Sequence, residues 1–462
     1  MTPGMVNGIS HRGTEVRQLK YGRLWLGHAR LPIQTLPGSE DSGVQPIRLR
    51  NGYLLYNGEI YNYPSKYSSD TEYLQDLFNS CKTQDVLHEA QKWDGMWAIV
   101  KVTYGGLWAF TDPLGKKQLY YNSKGEVCSE MLPLVHGEVG FDPFWGSEAF
   151  KWGYNTDDRT PYRGVRRVMP NSVLIVTPVG ANTTASDWYS WGVKSYLGSL
   201  GDAAGELREL VTKSVKRRML SKGHRLGVLL SGGLDSSIIA SILHDSGADM
   251  DLYSVDNDEG RYARLMAQKL GCLDRVTWIP SDFSEAPYQD PEVFEALRYN
   301  ETPIDLGSLM PQHRMCSAVK QDIIVTGDGA DELFGGYRRI HDYDSQLSDV
   351  FQELPFYHLP RLDRASMRFT KELRTPFLGH DVVRFALSLP YEYRVDKKVL
   401  KEAFRGVVPD EIIDRPKTPL KSKGLQDDPL QWRKRLHHLF YDELFQNKII
   451  CHTHPTNSAT SV

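Results

Sequence analysis

The residues most able to do chemistry lie in one short loop, "SGGLDSS", which runs from Ser231 to Ser237 after the apolar run "LGVLL". The apolar run predicts a buried strand that ends at Leu230, and Ser236 and Ser237 predict the start of a helix that continues to about Leu243. Glycines permit close backbone approach, and the unpaired amides of a helix start bind anions. The loop is therefore expected to hold phosphate.

Asp235 places a negative charge inside this loop. The loop lacks the GxxxxGK[ST] pattern, so it has no lysine of the kind that reaches the β and γ phosphates in the usual P-loop. A carboxylate in a phosphate cradle is explained if Mg²⁺ lies between the carboxylate and the phosphates. A glycine turn capped by serines would explain the turn but would leave Asp235 without a role.

A second glycine-rich stretch, "IIVTGDGADELFGGYRR" from Ile323 to Arg339, carries several carboxylates. The two stretches together resemble the nucleotide site of the asparagine synthetase family, whose members split ATP into AMP and pyrophosphate. The resemblance continues, in the family's order, in the segments "HRG", "GHARLPI", "LLYNGEIYNY", "SSDTE", "DPLGKKQLYY", "RASMRFTKELRTPFLGHD" and "KKVLKEAFRGVVPDEIIDRPKT". It thus covers almost the whole chain.

The resemblance implies that the second half activates a carboxylate as an acyl adenylate, with ATP and Mg²⁺ as cofactors. Asp235 and Asp331 would hold the metal, Asp328 would accept a proton from attacking ammonia, and Lys417 would stabilise charge on the phosphates. Glu332 would serve the ion or anchor the turn. The residues implied to contact ATP or pyrophosphate are Leu230, Ser231, Gly232, Gly233, Asp235, Ser236, Ser237, Val255, Thr326, Gly327 and Lys397. Arg374 and Glu301 are candidates for reading the carboxylates of the acceptor acid.

The first half resembles a class II glutamine amidotransferase domain, in which an N-terminal cysteine attacks the amide of glutamine. By this resemblance Arg30 would bind the glutamine carboxylate and Asp70 its ammonium group, which are the expected charge partners. Asn57, Gly58 and Glu59 would surround the reacting amide.

The printed chain begins "MTPGMVNGISHRG", without a cysteine at the position that the family uses. Cys81 and Cys128 cannot substitute, because neither carries a free α-amine that could deprotonate its thiol. The chain as written is therefore expected to use ammonia and not glutamine. Three explanations stay open: a start codon placed too late, a true loss of glutaminase activity, and a domain kept only for structure.

The pattern of apolar and polar residues changes near residue 190. Short alternating stretches such as "GYLLYNGEIY" and "WAIVKVTY" predict an antiparallel sheet before it, whereas helical segments and all-apolar strands alternate after it and predict a parallel sheet. Two domains are expected, at 1–192 and 193–462. By resemblance the first is an αββα sandwich of the Ntn-hydrolase type and the second a PP-loop synthetase domain of the adenine nucleotide alpha hydrolase type, which gives an α/β and α+β chain.

The amino-acid composition limits the kinds of binding partner that are expected. The 462 residues carry 55 Lys and Arg against 58 Asp and Glu, a balance that gives no reason to expect nucleic acid or a membrane surface as partner. The cysteines lack disulfide-framework or zinc spacing, which favours a reducing cytoplasm. Small-molecule substrates are expected, and a homodimer remains open. The five cysteines are Cys81, Cys128, Cys272, Cys316 and Cys451.

The sequence as a whole predicts an asparagine synthetase-like amide ligase. Aspartate, ATP and glutamine or ammonia would give asparagine, AMP and pyrophosphate through a β-aspartyl-AMP intermediate. An enzyme of the same fold that amidates another carboxylate, such as a peptide or antibiotic precursor, is an alternative. A non-catalytic nucleotide-binding regulator is a second alternative, although the complete set of acidic residues and Lys417 speaks against it.

Overall fold

The computed structural model describes residues 4–33, 43–136, 140, 142–152, 154–177, 180–184, 188–219, 225–281, 290–300, 306–337 and 344–416. Three residues named from the sequence, Glu301, Lys417 and Cys451, lie outside these described residues. No helix in the described part of the chain is both long enough and apolar enough to cross a membrane.

The first half is built on an antiparallel sheet of six strands. The strands are β3 (Ile47–Leu49), β4 (Gly52–Ile60), β5 (Gly95–Thr103), β6 (Gly106–Thr111), β10 (Val173–Thr177) and β11 (Gly180–Thr184). Their order is β11-β10-β6-β5-β4-β3. Alternation of apolar and polar residues lets one face of this sheet pack on helices and the other on a second layer of strands.

The second layer consists of two smaller antiparallel sheets. One pairs β1 (Glu15–Tyr21) with β2 (Leu24–Arg30), and the other has the order β8-β7-β9. The strands of that sheet are β7 (Tyr120–Asn122), β8 (Val127–Cys128) and β9 (Val165–Arg167). Ala98 and Leu174 of the large sheet pack against Tyr121 of this layer, so the two layers share an apolar core.

Helices close both sides of this sandwich. On the outer face of the large sheet lie α1 (Asp70–Ser80) and α2 (Thr83–Ala90), where Leu74 and Phe78 share a core with Trp97. The opposite side carries the 3-10 helix Met5–Arg12, whose Val6 and Ile9 pack with Tyr120. The αββα arrangement expected from the resemblance is confirmed. The half also contains α3 (Pro143–Trp152) and the 3-10 turn Leu132–Leu134.

The second half contains the parallel sheet that the apolar strands predict. Its strands are β12 (Leu226–Leu229), β13 (Met250–Asp256), β14 (Val276–Pro280), β15 (Ile323–Val325) and β16 (Glu372–Arg374), in the order β14-β13-β12-β15-β16. Val228, Leu252 and Ile324 have no exposed surface, because helices cover both faces of the sheet. The carboxyl ends of all five strands therefore meet at one edge.

Helices make up most of the remaining described residues of this half. They are α4 (Leu200–Arg217), α5 (Leu234–Asp245), α6 (Gly260–Lys269), α7 (Pro291–Asn300), α8 (Leu306–Ala318), α9 (Ala330–Phe334), α10 (Asp344–Glu353), α11 (Leu359–Met367), α12 (His380–Ser388), α13 (Tyr391–Arg394), α14 (Lys398–Phe404) and α15 (Asp410–Ile413). Short 3-10 turns lie at Leu273–Arg275, Pro376–Leu378 and Val395–Lys397.

A π-helical turn, Leu354–His358, joins α10 to α11 without a break. A π turn frees a carbonyl from the regular α-helical ladder. In this turn the Pro355 carbonyl accepts a hydrogen bond of 3.0 Å from Arg167 Nη1 of the first half. The turn thus contributes directly to the contact between the two halves.

Buried ion pairs hold the two halves together. Asp363 on α11 accepts hydrogen bonds of 2.9 Å from Arg12 Nη2 and 2.9 Å from Lys117 Nζ, both of the first half. Arg218 Nη2 of the second half lies 2.8 Å from Asp94 Oδ1 of the first. Because ionic groups of this kind are costly to bury unpaired, the contact fixes how the halves meet.

Candidate functional site

The loop "SGGLDSS" lies where β12 passes into α5. The strand ends at Leu229, one residue before the predicted end at Leu230. The helix begins at Leu234, two residues before the predicted start at Ser236. Gly233 is the N-cap with an extended backbone, so the helix can start directly after it. The amide of Leu230 still donates to the Tyr253 carbonyl at 2.8 Å, which explains why this residue looked like part of the strand.

Serine side chains fix the path of this loop. Ser236 Oγ accepts a hydrogen bond of 3.2 Å from the Ser231 amide and lies 3.0 Å from Ser231 Oγ. Ser231 Oγ in turn accepts from the Gly233 amide at 3.3 Å. The Ser237 hydroxyl is buried and has no hydrogen-bond partner in the described part of the chain. The loop is therefore preformed, with a hydroxyl and the first amides of α5 left to bind an anion.

Two glycines bring neighbouring backbone close to the loop. Gly232 has a φ of +70°, and a Cβ there would lie 2.5 Å from the Ala263 amide nitrogen. A Cβ at Gly327, in the loop after β15, would lie 2.9 Å from Cβ of Asp235. Only glycine fits at either position, so the loop after β12 packs on α6 at Gly232 and meets the loop after β15 at Gly327.

Asp235 and Asp331 converge on one ammonium group. Lys397 Nζ lies 2.6 Å from Asp235 Oδ2 and 2.5 Å from Asp331 Oδ1. Burial alone would lower the pKa of Lys397, but the two carboxylates raise it well above its usual value. The three side chains are at most 16 % exposed, and they come from segments that are far apart in the sequence.

Backbone geometry places Lys397 at this point. Asp396 and Lys397 both have left-handed backbones, with φ of 53° and 58°, a conformation that is costly for residues other than glycine. Gly336 lies directly beside the pair, because a Cβ there would come within 1.9 Å of Asp331 Oδ1 and 2.4 Å of Lys397 Cε. Strained backbone that the surrounding structure enforces is typical of functional sites.

The donor set fits Mg²⁺. Among the described residues no group of three His, Cys, Asp or Glu side chains could hold a metal alone. Mg²⁺ is usually held by one or two carboxylates together with phosphates and water. Two converging carboxylates beside the loop Ser231 to Ser237 match this usual ligand set. Asp235 and Asp331 supply such a pair.

Asp328 lies in the same loop after β15. Its Oδ2 accepts a hydrogen bond of 2.5 Å from Thr326 Oγ1. Burial raises the pKa of Asp328, and this outweighs the opposing effects of the Thr326 hydrogen bond and of the Arg361 charge. A carboxylate with a raised pKa is suited to accept a proton near neutral pH.

Glu332 contacts side chains other than Asp235 and Asp331. It accepts a hydrogen bond of 2.6 Å from the Tyr337 hydroxyl, and its Oε1 lies 3.6 Å from His358 Nε2. His358 belongs to the π turn and is stacked with Tyr337 at a ring-centroid distance of 6.3 Å. Of the two roles left open by the sequence, these contacts favour the anchoring of the turn.

The remaining residues assigned to ATP all lie at the same edge of the parallel sheet. Leu230 follows β12, Val255 lies near the end of β13, and Thr326 and Gly327 follow β15. Leu230, Val255 and Thr326 are buried. Open α/β sheets bind ligands at this edge.

The five residues assigned to glutamine line one cavity of about 110 Å³ in the first half. They are Arg30, Asn57, Gly58, Glu59 and Asp70. Asp70 accepts hydrogen bonds from the Tyr56 hydroxyl at 2.8 Å and from the Ile60 amide at 3.1 Å.

Three of these residues show what the cavity wall requires. Asn57 Nδ2 is buried without a partner in the described part of the chain, as expected for a group that binds a ligand. Arg30 pairs with Glu15 at 3.3 Å. Gly58 has a φ of +138°, and a Cβ there would lie 1.9 Å from the Met96 carbonyl oxygen, so β4 requires glycine at this point.

Sequence reasoning missed that the second half supplies part of this cavity. Met367 at the end of α11 and Glu372 at the start of β16 contribute to its lining, together with Arg12 and Lys117. Burial raises the pKa of Glu59 well above its usual value, and the nearby Glu372 raises it further. The motifs "HRG" and "GKK" include Arg12 and Lys117, and "RASMRFTKELRTPFLGHD" includes Met367 and Glu372. No motif indicated that these residues share one cavity.

Arg374 is not available to an acceptor acid. Its side chain has no exposed surface, and its Nε donates to Glu372 Oε1 at 2.8 Å while Nη1 donates to the Arg218 carbonyl at 2.8 Å. It lies beneath the glutamine cavity, 3.8 Å from Glu59. The interpretation of Arg374 as a reader of the acceptor carboxylate is therefore not supported.

Comparisons with known proteins agree with this geometry. The family model described as asparagine synthase matches residues 206–359 and 345–455, which together make up more than half of the chain. The model described as a glutamine amidotransferase domain matches residues 2–189.

Curated relatives cover nearly the whole chain. Asparagine synthetase [glutamine-hydrolyzing] 3 of Bacillus subtilis is 25% identical and aligns with 90% of this chain and 83% of its own length. The asparagine synthetases [glutamine-hydrolyzing] of Bos taurus and Homo sapiens are each 26% identical, aligning with 92% and 93% of this chain and 82% of their own lengths.

Solved structures give weaker likenesses. A glutamine phosphoribosylpyrophosphate amidotransferase from B. subtilis has a TM-score of 0.28 and 16% identity, covering 61% of this chain and 79% of its own. The U34-tRNA thiolase NcsA of Methanococcus maripaludis has a TM-score of 0.24 and 14% identity, covering 56% and 84%. The family models, which span both halves, show that the chain belongs to the asparagine synthase family and is an ATP-dependent amide ligase of the asparagine synthase type.

Proposed function

We propose that the chain makes asparagine from aspartate, with ATP converted to AMP and pyrophosphate through β-aspartyl-AMP. The observation that carries this proposal is the convergence of Asp235 and Asp331 on Lys397 beside the loop Ser231 to Ser237. A carboxylate becomes reactive only when a good leaving group is attached, so charge on the departing pyrophosphate must be stabilised.

Each group at this edge of the sheet has a role in the proposal. Asp235 and Asp331 would hold Mg²⁺, and bound metal would neutralise charge on the phosphate oxygens. The loop amides and serine hydroxyls bind the phosphates, and Lys397 supplies positive charge beside them. Lys417, outside the described residues, is proposed as a second cation at the same phosphates.

Asp328 is the proposed general base of the second step. Ammonia attacks the acyl carbon of the adenylate, the carbon–nitrogen bond forms, and AMP leaves with the bonding electrons. The attacking nitrogen loses a proton to the Asp328 carboxylate, whose raised pKa suits this transfer.

The first half is proposed to bind glutamine in the cavity of Arg30, Asn57 and Asp70, with a domain boundary at residue 192. Arg30 would take the carboxylate of glutamine and Asp70 its ammonium group. None of the described residues that line this cavity is a cysteine. Four described cysteines, Cys81, Cys128, Cys272 and Cys316, are free thiols.

The proposal also includes the location of the protein in the cytoplasm and its assembly as a homodimer.

The test is an assay of pyrophosphate release with ATP, Mg²⁺, ammonium chloride and a panel of amino acids and small carboxylates. The expected result is equimolar AMP, pyrophosphate and asparagine with aspartate. Formation of ADP and phosphate would refute the proposal, and release of pyrophosphate only with another acid would assign the alternative substrate.

A second assay compares nitrogen donors in a polypeptide of the 462 printed residues. Asparagine formation is expected with ammonium and not with glutamine, because the described cavity offers no thiol with a free α-amine. Glutamate released at the rate of asparagine formation would show that another nucleophile acts.

Light scattering of the same sample measures whether the chain forms a dimer.

A further inference from the structure

Lys397 lies between the two carboxylates that are proposed to hold Mg²⁺. Its Nζ is 2.6 Å from Asp235 Oδ2 and 2.5 Å from Asp331 Oδ1. The three side chains are at most 16% exposed, so bulk water and salt screen these charges only weakly. A single ammonium group therefore contacts both proposed metal ligands, through one oxygen of each.

This shared contact differs from the ion pairs of two other lysines. Lys117 and Lys401 each pair with one carboxylate, at 2.9 Å and 2.7 Å. Two carboxylates held close together repel each other, and a cation shared between them removes that repulsion. Lys397 thus does for its two carboxylates what a metal ion held by the same pair would do.

The backbone that carries Lys397 is fixed against the C-terminal end of α9. The Asp396 amide donates to the Gly335 carbonyl at 3.0 Å, and Arg394 Nε donates to the Leu333 carbonyl at 2.8 Å. Lys397 keeps its left-handed φ of 58° beside these contacts. A lysine side chain is a flexible four-carbon stem, so Nζ can change partners while the backbone stays in place.

The ammonium group and a metal ion compete for the same pair of carboxylates. A positive group held this close to both carboxylates repels a second cation that approaches them. It also uses hydrogen-bonding positions on one oxygen of each carboxylate, which leaves fewer lone pairs for a metal. Tight binding of a metal by Asp235 and Asp331 therefore requires Nζ to leave.

The loop Ser231 to Ser237 offers the ammonium group a second set of partners. Asp235 belongs to this loop, so Nζ already lies at its edge. In the proposed function the loop binds the phosphates of ATP, and phosphate oxygens are strong partners for lysine. With phosphates bound, Nζ exchanges carboxylate oxygens for phosphate oxygens, and both carboxylates become available to the metal.

We propose that Lys397 is an internal competitor of Mg²⁺ at Asp235 and Asp331, so that the metal binds tightly only together with the phosphates of the nucleotide. This inference rests on the metal role that the proposed function gives to these two carboxylates. Coupling between two ligands is reciprocal, so the same lysine makes tight nucleotide binding depend on the metal.

The experiment measures the binding of Mn²⁺ alone to the full chain without nucleotide. Free Mn²⁺ is followed by its electron paramagnetic resonance signal in the wild type, Lys397→Met and Lys401→Met. Lys401→Met is the matched control, because Lys401 lies on α14, directly after Lys397, and pairs with Asp396. Both substitutions remove one positive charge, so the control separates local competition from the effect of net charge.

Lys397→Met should bind Mn²⁺ at least about tenfold more tightly than the wild type, because the competing charge is gone. Lys401→Met should stay within about twofold of the wild type, since its ion pair is partly exposed and screened. Lys397→Arg keeps a positive charge and should bind Mn²⁺ as weakly as the wild type. The double variant Lys397→Met/Asp331→Asn should lose the gain, which assigns the bound ion to this pair of carboxylates.

An unchanged Mn²⁺ affinity in Lys397→Met would overturn the inference, and so would a gain that survives Asp331→Asn. If Lys397→Met fails to fold, as judged by circular dichroism, Lys397→Gln replaces it, because its amide can still donate to a carboxylate; an unchanged affinity there refutes the inference equally. The assay needs no turnover. Pyrophosphate release with aspartate but no gain in Mn²⁺ affinity would refute this inference alone, whereas the gain in a chain that forms no asparagine would refute the proposed function alone.

Discussion

The proposed phosphate-binding loop and the proposed glutamine cavity balance buried charge in different ways. At the loop, Asp235 and Asp331 are neutralised by Lys397, and all three belong to the second half. At the cavity, charged side chains of the first half are matched by residues of the second, since Asp363 binds both Arg12 and Lys117.

This difference predicts which property of the protein a substitution at each site would change. Changes at the loop should impair the chemistry and leave the association of the two halves intact. Changes at the cavity wall should alter both the cavity and the association, because the same ion pairs build both. Each prediction below separates these two consequences.

The largest effect is expected from Asp235→Ala. Loss of this carboxylate removes half of the proposed metal site, so pyrophosphate release should fall at least about 1,000-fold while circular dichroism and thermal unfolding stay near the wild type. Asp245→Ala is the control, because Asp245 ends the same helix with a side chain that is 70% exposed. Activity within about tenfold of wild type, or about 1.4 kcal/mol of barrier, would exclude the metal role.

Asp363→Asn tests the opposite side of the comparison. Arg12 and Lys117 would lose a buried counter-charge, and the free energy of unfolding should fall by about 3 kcal/mol. Denaturant unfolding measures this loss. Asp414→Asn, which disturbs an exposed pair with Arg405, should change stability by less than about 1 kcal/mol. Equal effects of the two changes would show that the buried pairs do not hold the halves together.

Gly336→Ala should disturb the loop site without changing any charge. The added Cβ would overlap Asp331 Oδ1 and Lys397 Cε, so the pair must separate. We expect kcat/KM for ATP to fall by about tenfold or more, which corresponds to about 1.4 kcal/mol. Gly205→Ala in α4 has no neighbour within 4 Å and should be neutral or slightly stabilising. Unaltered ATP kinetics in Gly336→Ala would argue against a shared role for Asp331 and Lys397.

The smallest effect concerns pH. Burial tends to raise the pKa of Glu130, but His11, Arg364 and Arg12 outweigh burial and lower it from 4.5 to about 2. A carboxylate whose folded pKa is lowered contributes stability above its unfolded pKa and loses it as pH falls. Stability should therefore decline between about pH 5 and pH 2, and Glu130→Gln should flatten this decline. A curve with the wild-type slope in Glu130→Gln would assign the decline to other groups.

Local sequence patterns predicted those strands, turns and helix starts whose conformation is set by residues close to them in the sequence. The apolar strand before Ser231 and the glycines of the loop are local signals, so the fold class and the passage from strand to loop to helix could be predicted, while phosphate binding by the loop stays a prediction. The start of α5 was missed by two residues because Gly233, and not a serine, caps the helix.

Contacts between distant segments could not be predicted in the same way. Lys117 and Asp363 are 246 residues apart, and the partner of a buried charge is set by how the halves pack and not by any local pattern. Arg374 is a candidate contact for the acceptor acid on its charge, which the sequence shows, whereas its complete burial is visible only in the structure.

The π turn Leu354–His358 has a consequence for how this protein can change length during evolution. An α-helix advances about 100° per residue, so deleting or inserting one residue in this turn would rotate the whole of α11 by that angle. Arg361, Asp363 and Met367 would leave three separate contacts at once: the hydrogen bond to Gln312, the ion pairs between the halves, and the cavity wall. Substitutions in this segment should therefore accumulate among relatives more readily than single-residue insertions or deletions.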